Sequence, residues 1–121
     1  MNARHSSMAA TKKNLRSEEE LDATFFALSD RTRRALLERL ARGPMRVTDL
    51  AAPFDMSLPA VSKHLRVLEQ AGLIVRAIDG RVHTCSLRAI PLGKIEKWIE
   101  KTRDFWEGTL DSLARYVESG R

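Results

Sequence analysis

Between Ser57 and Arg66 the chain reads Ser-Leu-Pro-Ala-Val-Ser-Lys-His-Leu-Arg, which places two hydroxyls, two cations and an imidazole on one short stretch. These groups form hydrogen bonds and neutralise anions, and they do not make or break covalent bonds unaided. The chain offers no nucleophile with a base beside it, no paired carboxylates on a pocket-lining element and no phosphate-binding glycine loop, so it is read as a non-enzyme. His5, His64, His83 and Cys85 do not fall at ligand spacing, and neither a metal nor another cofactor is expected. The chemistry that remains is recognition of a polyanion. Cations bind phosphate, and small hydroxyl side chains reach phosphates or base edges while letting the backbone approach.

Those groups must be held on one face. Ser57 is a good N-cap and Pro59 falls in the first turn, where a missing N–H costs little, so the spacing predicts a helix that starts at Leu58. At 100° per residue Val61, Leu65 and Leu68 share one side, and Pro59, Ser62, Lys63 and Arg66 share the opposite side. The first side suits a core and the second a DNA groove. His64 lies at the border, and two readings are open for it: a DNA contact, or a packed imidazole bonded to nearby backbone.

The rest of the chain supplies the frame. At 121 residues it is long enough for one modest core. No apolar run approaches the length of a membrane span and no signal-type block opens the chain. The lone Cys85 agrees with a reducing compartment and is expected to be buried. A soluble, cytoplasmic protein that avoids membranes is therefore expected. The net charge of +5 is unevenly spread: residues 29–88 hold eleven Lys/Arg against six Asp/Glu, whereas residues 89–121 balance. A basic middle is the arrangement expected of a surface that faces a polyanion.

Residues 1–17, with Arg4, Lys12, Lys13 and Arg16, lack apolar periodicity and are read as a disordered basic tail; residues 18–121 are read as one domain. Ser17 and Glu20 form a capping-box pattern for a first helix carrying Leu21, Phe25 and Leu28. Asp30 caps a second helix with Leu36, Leu37 and Leu40 inward, ended by Gly43-Pro44. Its first turn carries Arg31, Arg33 and Arg34, unfavourable at the positive end of a helix unless an anion sits there. The alternative is pairing of Arg34 with Glu38. Thr48 is expected to cap a short third helix that Pro53 cuts off. A short helix, a turn and the Leu58 helix make a helix-turn-helix.

Past Gly72, Leu73–Ile78 and Arg81–Leu87 read as strands joined at Asp79-Gly80, a hairpin wing with Arg81 at its tip. An odd loop would gather Leu73, Val75, Cys85 and Leu87 on one face and is the expected register. From Pro91 to about Glu118 one long helix carries Ile95, Trp98, Ile99, Phe105, Trp106, Leu110, Leu113, Tyr116 and Val117 in a single wide sector. Such a stripe exceeds what a small domain needs for itself. With Leu21 and Phe25 it is expected to form a two-fold homodimer interface.

Ala27-Leu28-Ser29-Asp30-Arg31-Thr32-Arg33-Arg34-Ala35-Leu36-Leu37, Val47-Thr48-Asp49-Leu50-Ala51, Ser57 through Leu68 and Ala71-Gly72-Leu73-Ile74, taken in this order and spacing, resemble the ArsR-type winged helix-turn-helix repressors of bacteria and archaea. The resemblance spans about residues 21–118. It implies a mainly α fold with a small β-hairpin wing, a dimer built on a long C-terminal helix, and repression of transcription on double-stranded DNA, often relieved by a ligand or metal. The residues expected at DNA are Arg33, Arg34, Thr48, Ser57, Leu58, Pro59, Ser62, Lys63, His64, Arg66 and Arg81. Two departures stand out. Asp55 replaces a turn glycine, which an Asp tolerant of a left-handed backbone would accommodate. Arg46 and Thr48 occupy the positions of a metal-sensing Cys-x-Cys, and residues 89–121 have no histidine, so the chain resembles the metal-independent, autorepressor-like branch. A metal-responsive repressor and a winged protein-interaction module without a DNA target are the alternatives. The sequence names neither an operator nor an inducer.

Overall fold

The computed structural model describes residues 3–120 and joins five helices to a three-stranded antiparallel sheet. In chain order these are α1 (Ala3–Leu28), α2 (Arg31–Leu40), β1 (Met45–Arg46), α3 (Val47–Ala51), α4 (Leu58–Gln70), β2 (Ile74–Asp79), β3 (Val82–Leu87) and α5 (Ile90–Ser119). Strand order is β1-β3-β2. No helix among the described residues is long and apolar enough to cross a membrane.

α1 begins at Ala3, well before the expected cap at Ser17, and so replaces most of the expected tail with helix. No glycine or proline precedes Gly43, and Ala9, Ala10, Lys12, Lys13, Leu15 and Arg16 are strong helix formers, so nothing local interrupts the helix. The Arg4 side chain lies outside the described residues. α2 starts as expected: the Asp30 carboxylate accepts the backbone N–H groups of Thr32 (2.8 Å) and Arg33 (3.1 Å). α3 starts at Val47 with Arg46 at its cap and no side-chain cap bond, so Thr48 is inside the helix and does not cap it. β1 is the reason: Met45 and Arg46 pair with Cys85 and Thr84, and the chain turns straight from strand into helix. Asp55 needs no special tolerance, because no non-glycine residue described has a positive φ.

The wing departs from the expected register. Asp79 pairs with Val82, leaving Gly80 and Arg81 as a two-residue turn, and Ile74 pairs with Leu87. Gly80 has φ +64, the left-handed first position that a twist-matched hairpin turn requires. The inner face is therefore Ile74, Arg76, Cys85 and Leu87, and Val75 points to solvent at 51 % exposure. Leu73 stays in the core because it belongs to the end of α4. Its N–H bonds Leu68 O (3.0 Å) while that of Gly72 bonds Glu69 O (2.9 Å), a Schellman stop with Gly72 left-handed at φ +74. Leu68 and Leu73, both fully buried, make its hydrophobic contact. The core lies between α2, α4 and the sheet, with Ala27 from α1 and Val47 and Leu50 from α3.

Candidate nucleic-acid interface

α4 begins where its residue types require. The Ser57 hydroxyl accepts the Ala60 N–H at 3.2 Å, and Pro59 sits in the first turn. Val61, Leu65 and Leu68 are fully buried, which fixes the rotation of the helix and turns Leu58, Pro59, Lys63 and Arg66 outward, with Ser62 half-buried.

Beside the first half of α4 lies a cleft of about 380 Å³, lined by Arg46, Val47, Thr48, Leu58, Ser62, Arg76, Arg81, Val82 and His83. It unites three separate parts of the chain: the start of α3, the start of α4 and the wing. Three arginines line it and no carboxylate does. Arg76 is held in place by Glu69, with Nη2 2.7 Å from Oε1 and Nε donating at 3.0 Å, and its Nη1 lies 3.3 Å from His83 Nδ1. Arg46 and Arg81 have no carboxylate partner among the described residues. Two uncompensated guanidiniums flanking hydroxyls and short apolar groups offer a fit to phosphate along a nucleic-acid groove.

Thr48, Leu58, Ser62 and Arg81 were expected at DNA, and the cleft brings them together. Ser57, Pro59, Lys63 and Arg66 are exposed on the same helix or at its cap but do not line the cleft. Arg46, Arg76 and His83 are additions that sequence reading misses. The signal lies in β1, too short to show periodicity, which carries Arg46 to the wing.

Arg33 is a correction. Expected at a phosphate, it is 8 % exposed and spends its guanidinium inside the protein: Nε donates to Ala27 O (2.7 Å), Nη2 to Phe26 O (2.9 Å), and Nη1 lies 3.2 Å from His64 Nδ1. Arg34 is exposed, but its Nη1 donates to Leu28 O at 2.6 Å and does not pair with Glu38. The cations at the start of α2 thus satisfy the last carbonyls of α1, the negative end of that helix. His64 is half-buried and turns Nδ1 inward, 3.8 Å from Asp30 Oδ2.

The residues expected at a dimer interface divide in two. Ile95 is buried within its own chain, a correction, because the start of α5 packs on α1. Leu21 is half-buried, and Phe25 meets Trp98 edge to face, centroids 5.4 Å apart. Ile99, Phe105, Trp106, Leu110, Leu113, Tyr116 and Val117 lie exposed along α5.

Residues 28–77 match the model of a helix-turn-helix domain. The chain is 37 % identical over 98 residues to the HTH-type transcriptional regulator Rv2034 of Mycobacterium tuberculosis, covering 81 % of this chain and 89 % of the relative. It is 35 % identical over 79 residues to the transcriptional repressor SdpR of Bacillus subtilis, covering 65 % and 88 %. Among solved structures, an ArsR family transcriptional regulator shares 46 % identity with a TM-score of 0.72 over 74 % of this chain and 93 % of that one. An ArsR-like regulator from Rhodococcus sp. RHA1 shares 30 % with a TM-score of 0.69 over 79 % and 91 %. On this likeness over nearly the full length of its relatives, and with a helix-turn-helix and wing in the matching places, the chain belongs to the ArsR family of winged helix-turn-helix transcriptional regulators.

Proposed function

We propose that the protein is a sequence-specific transcriptional repressor that binds double-stranded DNA as a homodimer, with α4 in the major groove and the wing beside it. The cleft between α4 and the wing carries this reading: it is lined by Arg46, Arg76 and Arg81 and by no carboxylate. The naming of SdpR as a repressor supports the sign of regulation. Lys63 and Arg66 contact the groove or phosphate, Ser57 and Ser62 bond phosphate or base edges, Thr48 lies against DNA, and Arg81 reaches the backbone or minor groove beside the wing. The exposed apolar stripe of α5 supports pairing with a second copy. Two-fold pairing would set half-sites about one helical turn, ~10 bp, or a multiple apart.

Fluorescence anisotropy on DNA upstream of the gene, at two salt concentrations and with unrelated DNA as competitor, tests the reading. Binding that survives competitor is the expected result. Weak, equal and strongly salt-dependent binding to both DNAs would mean either that the operator lies elsewhere or that the basic face supplies charge alone, and the reading of a winged interaction module would gain.

A further inference from the structure

We infer that His64 is a positioning residue, whose Nδ1 locks the rotation of the recognition helix α4 to the C-terminal end of α1 through Arg33. The inference rests on the DNA-binding reading above and adds a device that sets the aim of α4.

The Arg33 guanidinium is fixed before it reaches His64. Nε bonds Ala27 O and Nη2 bonds Phe26 O, with a longer contact from Nη2 to Ser29 Oγ at 3.5 Å, and the group lies over the Phe26 ring at 5.1 Å. A planar fork held on that side has its remaining Nη1 hydrogens aimed in a set direction. His64 Nδ1 meets them at 3.2 Å. Arginine only donates, so the contact is a hydrogen bond in the tautomer that leaves Nδ1 bare and puts the proton on Nε2, whereas the Asp30 carboxylate, with Oδ2 3.8 Å from the same Nδ1, favours a proton there. Val61, Leu65 and Leu68 attach α4 to the core by contacts without direction. A hydrogen bond to a fixed fork has direction, and it acts one residue from Lys63. Turning α4 about its axis would break this bond before it emptied the apolar contacts. The end of α1 thus sets how Lys63 is presented.

The two ring nitrogens can be separated by substitution, because an Asn oxygen falls close to the place of Nδ1 and a Gln oxygen close to that of Nε2. Anisotropy would compare His64→Asn, His64→Gln and His64→Ala on the DNA the native protein prefers. Retention by His64→Asn to within about threefold is expected, with a loss of about tenfold in His64→Gln and His64→Ala, the scale of one partly buried charge-assisted bond. The salt slope should stay native in His64→Asn and fall by at most about one where affinity falls, because a turned α4 withdraws Lys63. Retention by His64→Gln with loss in His64→Asn would assign Nε2 to DNA and overturn the inference. Equal loss in all three, or none, would also overturn it. A readout independent of DNA is the nitrogen NMR of the imidazole in the free protein near neutral pH. A bare Nδ1 with protonated Nε2 is expected, and the opposite or an averaged tautomer overturns the lock even if no operator is found.

Discussion

Arg33 and Arg81 carry the same charge and have opposite destinies, because one has carbonyls within reach and the other has none. Arg33 ends against the last turn of α1, whereas Arg81 sits at the tip of the wing with no carboxylate partner described. Removing a cation that touches only phosphate weakens binding to every DNA sequence alike. Arg81→Ala should therefore lower affinity for operator and unrelated DNA in parallel and reduce the slope of log affinity against log salt by about one; an unchanged slope would remove Arg81 from the interface. Asp30 makes a second prediction. Burial pushes its carboxyl up, but the N–H groups of Arg33 and Thr32 and the nearby His64 and Arg33 outweigh burial and hold it below the usual carboxylate value. The folded state then binds the proton less readily than the unfolded one. The cap is at full strength above the ordinary carboxylate range and is lost as pH falls through the lowered value. Asp30→Asn keeps an acceptor and does not titrate, so urea unfolding at about pH 7 and about pH 3 should show a smaller acid loss than in the native chain. At this scale the sequence was informative about the caps of α2 and α4, since Asp30 and Ser57 act on backbone two and three residues away, while Ser17 and Thr48 lie inside their helices and cap neither. It was uninformative about Arg33, whose partners lie in α1 and α4 and depend on how three helices meet.

Two glycines end or turn elements in backbone that other residues rarely adopt. Gly72 stops α4 at φ +74, and a Cβ there would stand 3.2 Å from Arg88 Nη1 as well. Gly80 opens the wing turn at φ +64 with open space around it. Gly80→Ala isolates the backbone cost, about 1–2 kcal/mol, with no clash added. Its thermal midpoint should fall while α-helical circular dichroism stays native, and a midpoint equal to the native one would mean that the turn is not left-handed. The helices α2 and α4 are legible because capping residues and apolar periodicity agree, and α5 by its apolar periodicity alone. α1 reaches further back than its polarity suggests, because helix propensity there is high and no breaker intervenes. The wing register differs for another reason: apolar count alone places Leu73 in the strand. The Schellman stop had already claimed Leu73, and the two-residue turn then set the ladder.

At the scale of the molecule, α5 extends for 30 residues, about 45 Å, and Phe105, Trp106, Leu110, Leu113, Tyr116 and Val117 along its later half are all more than half exposed. An aromatic stripe of that length facing water is the feature that the proposed pairing would remove. Trp106→Glu combined with Leu110→Glu leaves the winged core untouched. It should convert a dimer to a monomer in sedimentation and cost operator affinity at least tenfold, because a single half-site remains engaged. A double variant that sediments like the native protein would place the contact between copies elsewhere. Pairing through this stripe would also tie the survival of the fold to its own abundance. Association with a second folded copy stabilises the folded state by mass action, so the unfolding temperature should rise with protein concentration. In a cell, the first few chains made would be alone, their aromatic residues open to proteases, and only a larger brood would shelter one another. Control by such a protein would begin at a threshold concentration, and growth that dilutes it faster than it is made would bring the cell back toward that threshold.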